Sequence, residues 1–438
     1  MPEPSDKSKS SSQSRTPRAG WTHVLYRLGP GLITGAADDD PSGIATYSQV
    51  GAQFGMGMLW TMLISFPLMA AIQEICARLG RITGAGVAEN IRKHYPKPLL
   101  YGMVGLLCAA NIFNLGADVT AMGAAAQLVF GGSLNAYALL FGLVSLLLQI
   151  FVPYKEYVRY LKWLTVSLFA YVATAFVVHV PWLAALRATI VPTISWTAAY
   201  WMALVAVLGT TISPYLFFWQ ASEEAEDERL KKSDERLTKK PSQAAAQFSR
   251  IAIDTRVGMA FSNVVAFFII LTTAMTLHGS TTANHVDTAA DAAKALQPLV
   301  GHFAFLLFAL GIVGTGLLAV PVLAGSAAYA VAETFRWPAR LESKPRQAPK
   351  FYAVLAVATL IGMSLNFFGM NPIRALFLSA VINGIVAVPI MIMLMLMTAN
   401  RKITREFKLP AYVTVTGWLA TAVMFAASVG FIIGALHK

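Results

Sequence analysis

The chain alternates long apolar runs with short polar, mostly basic segments. Leu99–Cys108, Ala136–Val152, Leu164–Val180, Met259–Leu277, Phe303–Leu323 and Val381–Met397 contain no acidic residue, lysine or arginine. With their flanks, such runs reach the ~20 residues that a helix needs to cross about 30 Å of hydrocarbon. Eleven segments of this kind can be marked, centred near residues 39, 67, 112, 144, 170, 208, 266, 312, 359, 386 and 424. The pattern predicts an all-α integral membrane protein of about eleven transmembrane helices.

Composition agrees. Apolar residues make up 56% of the 438 positions and charged residues only 13%, against roughly 25% charged in a soluble domain. The distribution of charge adds an orientation. Thirty of the 34 basic residues fall in the tail to Arg27 and in the segments Arg78–Lys97, Lys155–Lys162, Arg229–Arg256, Arg336–Lys350 and Arg401–Lys408. These alternate along the chain with loops that keep only Arg187, Lys294, Arg374 and Lys438. Cytoplasmic loops collect Lys and Arg, so the expected location is the cell membrane, with the N-terminus cytoplasmic and the C-terminus extracytoplasmic. The net charge of +12 then follows from topology, and a nucleic-acid surface is not expected. The two cysteines, Cys76 and Cys108, provide neither a disulfide framework nor a spaced thiolate set.

The expected organisation is a disordered basic tail over residues 1–26 and a first set of five spans over 27–180. A second set of five follows over 194–399, with a cytosolic loop at 223–250, and an eleventh span occupies 411–436. Spans 1 and 6 differ from the rest. Span 1 carries Asp38, Asp39 and Asp40 at its middle, followed by Pro41 and Gly43. Span 6 carries Thr210, Thr211, Ser213 and Pro214. Proline removes a backbone donor and clashes with the preceding turn. Non-helical backbone at membrane depth is tolerated only where it is buried in protein or lines a polar cavity. Interruptions at corresponding positions of two halves point to a transporter site. Five spans are an odd number, so the second set must be inserted upside down relative to the first.

These residues resemble the Nramp divalent-metal transporters. Gly29-Pro30-Gly31 followed by Asp40-Pro41-Ser42-Gly43 is similar to the family's first helix, and Ala77-Arg78-Leu79-Gly80 with Thr83-Gly84 is similar to the loop after its second. Gly209-Thr210-Thr211-Ile212-Ser213-Pro214-Tyr215 is similar to the family's Gly-Ala-Thr-Val-Met-Pro-His, and Asn383 to Pro389 fits the tenth span. The resemblance runs from residue 27 onward. It implies a LeuT-type 5+5 inverted repeat with helices 1 and 6 broken, and transport of a divalent metal ion.

The resemblance also implies roles. Asp40 stands at the metal-binding aspartate. Gly43 replaces the family's asparagine, Thr210 the alanine that ligates through its carbonyl, and Ser213 the methionine; Tyr215 and Gln220 replace two histidines. Hard oxygen ligands suit magnesium, calcium or manganese, whereas a thioether helps select transition metals. Magnesium dehydrates reluctantly and keeps several waters, and a small-residue site would accommodate that. The pattern is thus similar to the Nramp-related magnesium transporters. The expected function is import of Mg2+ and/or Mn2+ by alternating access, with a proton-coupled Mn2+/Fe2+ symporter as the alternative. Missing histidines put proton coupling in question, because histidine titrates near neutrality.

The metal-site candidates are Asp40, Gly43, Thr210, Ser213, Asp39 and Asp38. Asp38 and Asp39 are second ligands, vestibule acids or a helix cap, and Thr210 and Ser213 either ligate or satisfy backbone groups freed at the kink. Asp118, Tyr215 and Glu74 are candidates for the transport pathway, while Asn111 and Asn114 read as packing polar residues. No nucleophile–base pair or metal–histidine constellation marks an enzyme. The expected partners are the transported ion and the lipid bilayer, with no resident cofactor, and a monomer is expected.

Overall fold

The computed structural model describes residues 34–35, 37–153, 156, 161, 164–230, 237, 240–279, 286–338 and 345–436. The predicted tail, the Gly29-Pro30-Gly31 motif, most of Lys155–Lys162 and parts of the loops at 223–250 and 278–298 lie outside these residues.

The described residues form helices and no strand. The first half contains α1 (Pro41–Phe54), α2 (Trp60–Thr83), α3 (Lys97–Phe130), α4 (Leu134–Phe151) and α5 (Phe169–Val177). The second contains α6 (Ala198–Thr211), α7 (Pro214–Leu230), α8 (Ala244–Thr276), α9 (Ala304–Phe335), α10 (Pro349–Leu365) and α11 (Pro372–Ala399), and α12 (Ala411–Leu436) ends the chain. Nine spans among the described residues are long and apolar enough to cross a membrane, with α6 and α7 counted together. The other two of the expected eleven deviate for separate reasons. The leading part of span 1 is outside the described residues. Among the described residues, span 5 is a 3-10 turn, Leu164–Leu168, running into the nine-residue α5, and the chain then bends by 120° into a short helix, Trp182–Ile190. Pro181 stands at that bend, and proline disfavours helical torsions in the residue before it.

Burial separates central from peripheral helices. The most apolar window of Ala198–Arg229 is 89% buried, while those of α4 and α12 are 28% buried. Leu139, Leu140, Leu143 and Leu147 on α4, and Val415, Leu419 and Phe425 on α12, are exposed. Such faces suit lipid, because the bilayer core is as apolar as leucine. The central spans instead approach by removing side chains. A Cβ on Gly209 would run into the Ala380 carbonyl and the backbone of Gly384, and one on Gly384 would meet the Val205 carbonyl. The backbones of α6 and α11 therefore touch just ahead of the span-6 interruption.

Both interruptions are present. Asp39 and Asp40 are non-helical and α1 begins at Pro41, where a missing N–H costs nothing. Ile212 and Ser213 separate α6 from α7, which begins at Pro214. The Tyr215 hydroxyl donates to the Ala37 carbonyl at 3.1 Å and the Thr210 hydroxyl to the Tyr47 hydroxyl at 2.7 Å. Ascending numbers on span 1 thus face descending numbers on span 6. The two broken helices cross antiparallel, as inverted halves require.

Candidate functional site

Asp40 is the N-cap of α1. Its Oδ1 accepts from the Gly43 N–H at 2.7 Å and the Ser42 hydroxyl at 2.6 Å, and its Oδ2 accepts from Asn114 Nδ2 on α3 at 3.1 Å. An aspartate cap satisfies donors that a helix start leaves bare, so the break and the carboxylate hold each other in place. Asp40 is 2% exposed. Gly43 supplies a backbone donor and no side-chain oxygen. A Cβ there would lie 3.3 Å from the Tyr47 ring, so a larger residue at this position requires that ring to give way.

The three consecutive acids do not act as one cluster. Asp40 turns toward α3, whereas Asp38 and Asp39 turn toward α8. There the Ser262 hydroxyl lies 2.6 Å from Asp38 Oδ2 and 3.0 Å from Asp39 Oδ1. One hydroxyl has one proton and serves one of the two at a time. Asp38 Oδ1 and Asp39 Oδ2 have no hydrogen-bond partner among the described residues. Two buried carboxylates with one shared donor are under-compensated, because a buried polar group left without its hydrogen bonds is costly.

On span 6 the hydroxyls turn inward to their own helix. Ser213 Oγ lies 2.6 Å from the Thr210 carbonyl, which Pro214 leaves without its helical donor, and 2.8 Å from the Gly209 carbonyl. The Thr210 hydroxyl meets Tyr47 instead. These residues repair the break, and an ion would have to compete with Ser213 for the Thr210 carbonyl. Tyr215 is fully buried against span 1 through its bond to Ala37. Gln220, one turn and a half further along, accepts from the Thr34 hydroxyl.

The pathway candidates part company. Asp118 is fully buried on α3, within electrostatic reach of Asp40 and the Ser42 N–H. Glu74 is elsewhere in the network: it pairs with Arg78 at 2.6 Å and Arg256 at 3.3 Å, beside Tyr412 of α12. Among the described residues no three Asp, Glu, His or Cys side chains converge as a metal-holding group. Ser262, Asn114 and Tyr47 belong to the site yet were not singled out as members from the sequence. Tyr47 lies seven residues from Asp40 and so on the same helix face. No sequence signal marks Ser262.

Two unequal cavities flank the break. A polar one of about 510 Å³ opens at the end that carries the basic loops, lined among others by Glu89, Arg92, Ser222, Arg229, Tyr329 and Glu333. Glu333 accepts from Ser222 at 2.9 Å and from the Glu89 N–H at 3.0 Å, tying α7, α9 and the Val87–His94 helix together. Trp219, fully buried and edge-on to Tyr329, sits one and a half turns past Ser213. An apolar cavity of about 190 Å³ lies at the other end, between α3 and the α10–α11 connection. Asp40, Asp118, Thr210 and Ser213 are closed to solvent from both sides.

The arrangement matches known proteins along its length. Residues 31–434 match the family model described as natural resistance-associated macrophage protein-like, Nramp. The chain is 27% identical over 436 residues to the divalent metal cation transporter MntH of Klebsiella pneumoniae, covering 97% of this chain and 98% of that one. Its fold is similar to the Eremococcus coleocola manganese transporter, with a TM-score of 0.73 at 17% identity over 96% of this chain and 88% of that one. It is also similar to Mhp1, a nucleobase-cation-symport-1 family transporter, with a TM-score of 0.60 at 14% identity over 93% and 91% of the two chains. These likenesses establish the LeuT-type architecture, and with the family match over nearly the whole length the chain belongs to the Nramp family.

Proposed function

We propose that this protein imports divalent cations, Mg2+ and/or Mn2+, by alternating access at the facing breaks of spans 1 and 6. The observation that supports this most directly is Asp40: a carboxylate closed to solvent at a helix break, opposite a second break that offers oxygen donors and no thioether or imidazole. Intramembrane carboxylates of this kind mark ion pathways. The divalent substrate named for the MntH relative and the manganese named for the Eremococcus transporter set the ion class. Ser213 in place of a soft sulfur ligand extends it toward magnesium.

In this reading the basic loops face the cytoplasm, the ion enters from the opposite side and keeps part of its water shell. It meets Asp40 and the Thr210 carbonyl, and leaves past Trp219 into the polar cavity. Asp38 and Asp39 hold a second negative charge pair near the path. An inside-negative potential favours entry by about 2.3 kcal/mol per charge per 100 mV, twice that for a divalent ion, so uptake needs no proton. The test is uptake into proteoliposomes of Mg2+, Mn2+ and Ca2+, with and without a membrane potential and a pH gradient. Potential-driven Mg2+ uptake without acidification of the lumen is expected. Exclusion of millimolar Mg2+ together with proton entry would replace this reading with the Mn2+/Fe2+ symporter.

A further inference from the structure

One face of α3 passes the break with a feature that neither the caps nor the helix packing explains. Asn111, Asn114 and Asp118 are separated by three and four residues, so at about 100° per residue they lie within an arc of about 60°. All three are 1% exposed or less. Each carries oxygen with no hydrogen-bond partner among the described residues: Asn111 Oδ1, Asn114 Oδ1, and both oxygens of Asp118. The amide orientations are fixed by acceptors. Asn111 Nδ2 donates to the Leu323 carbonyl at 3.0 Å and lies 2.6 Å from Ser326 Oγ, and Asn114 Nδ2 donates to Asp40 Oδ2. With each amide nitrogen on an acceptor, the bare atom of each amide is its carbonyl oxygen. A buried acceptor left unmade is costly, and most such groups are paired in folded proteins. Several in one row beside Asp40 call for a common ligand.

We propose that this face of α3 is a third wall of the ion path, with Asn114 Oδ1 a ligand of the divalent cation held by Asp40, directly or through one water. The inference rests on the reading of Asp40 as the ion's ligand. The chemistry of the row fits a hard cation that has to leave again. Ionised around a divalent ion, the Asp40 and Asp118 carboxylates would together balance its charge. Asn114 adds a hard neutral oxygen and no further charge, so it coordinates without deepening the trap. Asp118 lies on the side of Asn114 away from the basic loops and Asn111 on the side toward them, because α3 starts at Lys97 beside a basic loop. The row offers oxygens in sequence along the direction of import. It also supplies a side-chain amide near the position where Gly43 offers none.

Two variants separate ligation from support of Asp40. Asn114→Leu removes the oxygen at similar size, and Asn114→Met replaces it with a soft sulfur. In proteoliposomes, Asn114→Leu is expected to raise the apparent KM for Mg2+ at least tenfold. Asn114→Met is expected to raise the ratio of Cd2+ to Mg2+ uptake at least tenfold. A residue that only positions Asp40 would scale all ions by one factor, and that result overturns the proposal. The wild-type protein gives a check that needs no variant: the anomalous peak of bound Mn2+ in a crystal should lie within one water of Asn114 Oδ1. A peak beside Asp40 but away from α3 overturns the proposal too. Asp40→Ala keeps the two readings apart. Full uptake in Asp40→Ala removes the site itself, whereas lost uptake there with unchanged KM and ion ratios in both Asn114 variants removes only the third wall.

Discussion

Replacing Asp40 by Asn separates the fold of the break from its charge. The carboxylate makes three hydrogen bonds, to the Gly43 N–H, the Ser42 hydroxyl and Asn114. Asn caps helices about as well as Asp, so the amide oxygen keeps the first two. The bond to Asn114 is lost or reversed, at roughly 1.5–3 kcal/mol for a bond to a charged group. Against that, one buried charge disappears, and burying an unneutralised carboxylate costs several kcal/mol. The two changes oppose each other, and the folded yield and thermal stability of Asp40→Asn should stay near wild type. Transport should not. Two unit charges about 4 Å apart interact by about 4 kcal/mol at an effective dielectric constant near 20, or about 8 kcal/mol for a divalent ion. If only a quarter of this survives desolvation, about 2 kcal/mol remains, or roughly thirtyfold in binding. The assay is potential-driven Mg2+ and Mn2+ uptake in proteoliposomes, with size-exclusion profiles of the purified variant confirming that it folds. A folded Asp40→Asn protein that takes up both ions within about threefold of wild type would refute the reasoning.

Other substitutions probe the surrounding parts. Ser213→Met should raise Mn2+ or Cd2+ uptake relative to Mg2+ by supplying a soft ligand. It should also lower stability by about 1 kcal/mol, because the Gly209 and Thr210 carbonyls lose their donor; competition uptake and thermal unfolding read the two effects. Glu74→Gln breaks a buried ion pair with Arg78 and should lower the unfolding temperature while leaving the Mg2+-to-Mn2+ ratio unchanged, and a changed ratio would place Glu74 on the pathway. Ser262→Ala strips Asp38 and Asp39 of their shared donor; flux should fall with little change in folded yield, whereas unaltered flux would make that pair structural. Gly80→Leu would drive a side chain into the Ala221 backbone, and loss of the monodisperse peak in size exclusion is expected.

The spans, the alternation of basic loops and the two interruptions could be read from sequence because each is local. An apolar run reports its own length, and Pro41 and Pro214 break hydrogen bonding wherever the chain goes. Among the described residues, nine of the eleven spans reappear as long helical spans for that reason. Span 5 was less legible, since a 3-10 turn and Pro181 interrupt its described α-helix without changing its hydropathy. The site was legible only along the backbone. Sequence placed Asp38, Asp39 and Asp40 together, but a turn at the break sends the last toward α3 and the first two toward α8. It left Ser213 and Thr210 the choice between ligation and repair, and packing turns the Ser213 hydroxyl to the carbonyls at the break and the Thr210 hydroxyl to Tyr47. Glu74 had the same buried-acid signature as Asp118. Only the approach of Arg78, Arg256 and Tyr412 in space distinguished an ion-paired carboxylate from one that faces no cation among the described residues. A charge in an apolar run announces that it must be compensated, but what compensates it comes from other helices, and that pairing exists only once the helices have packed.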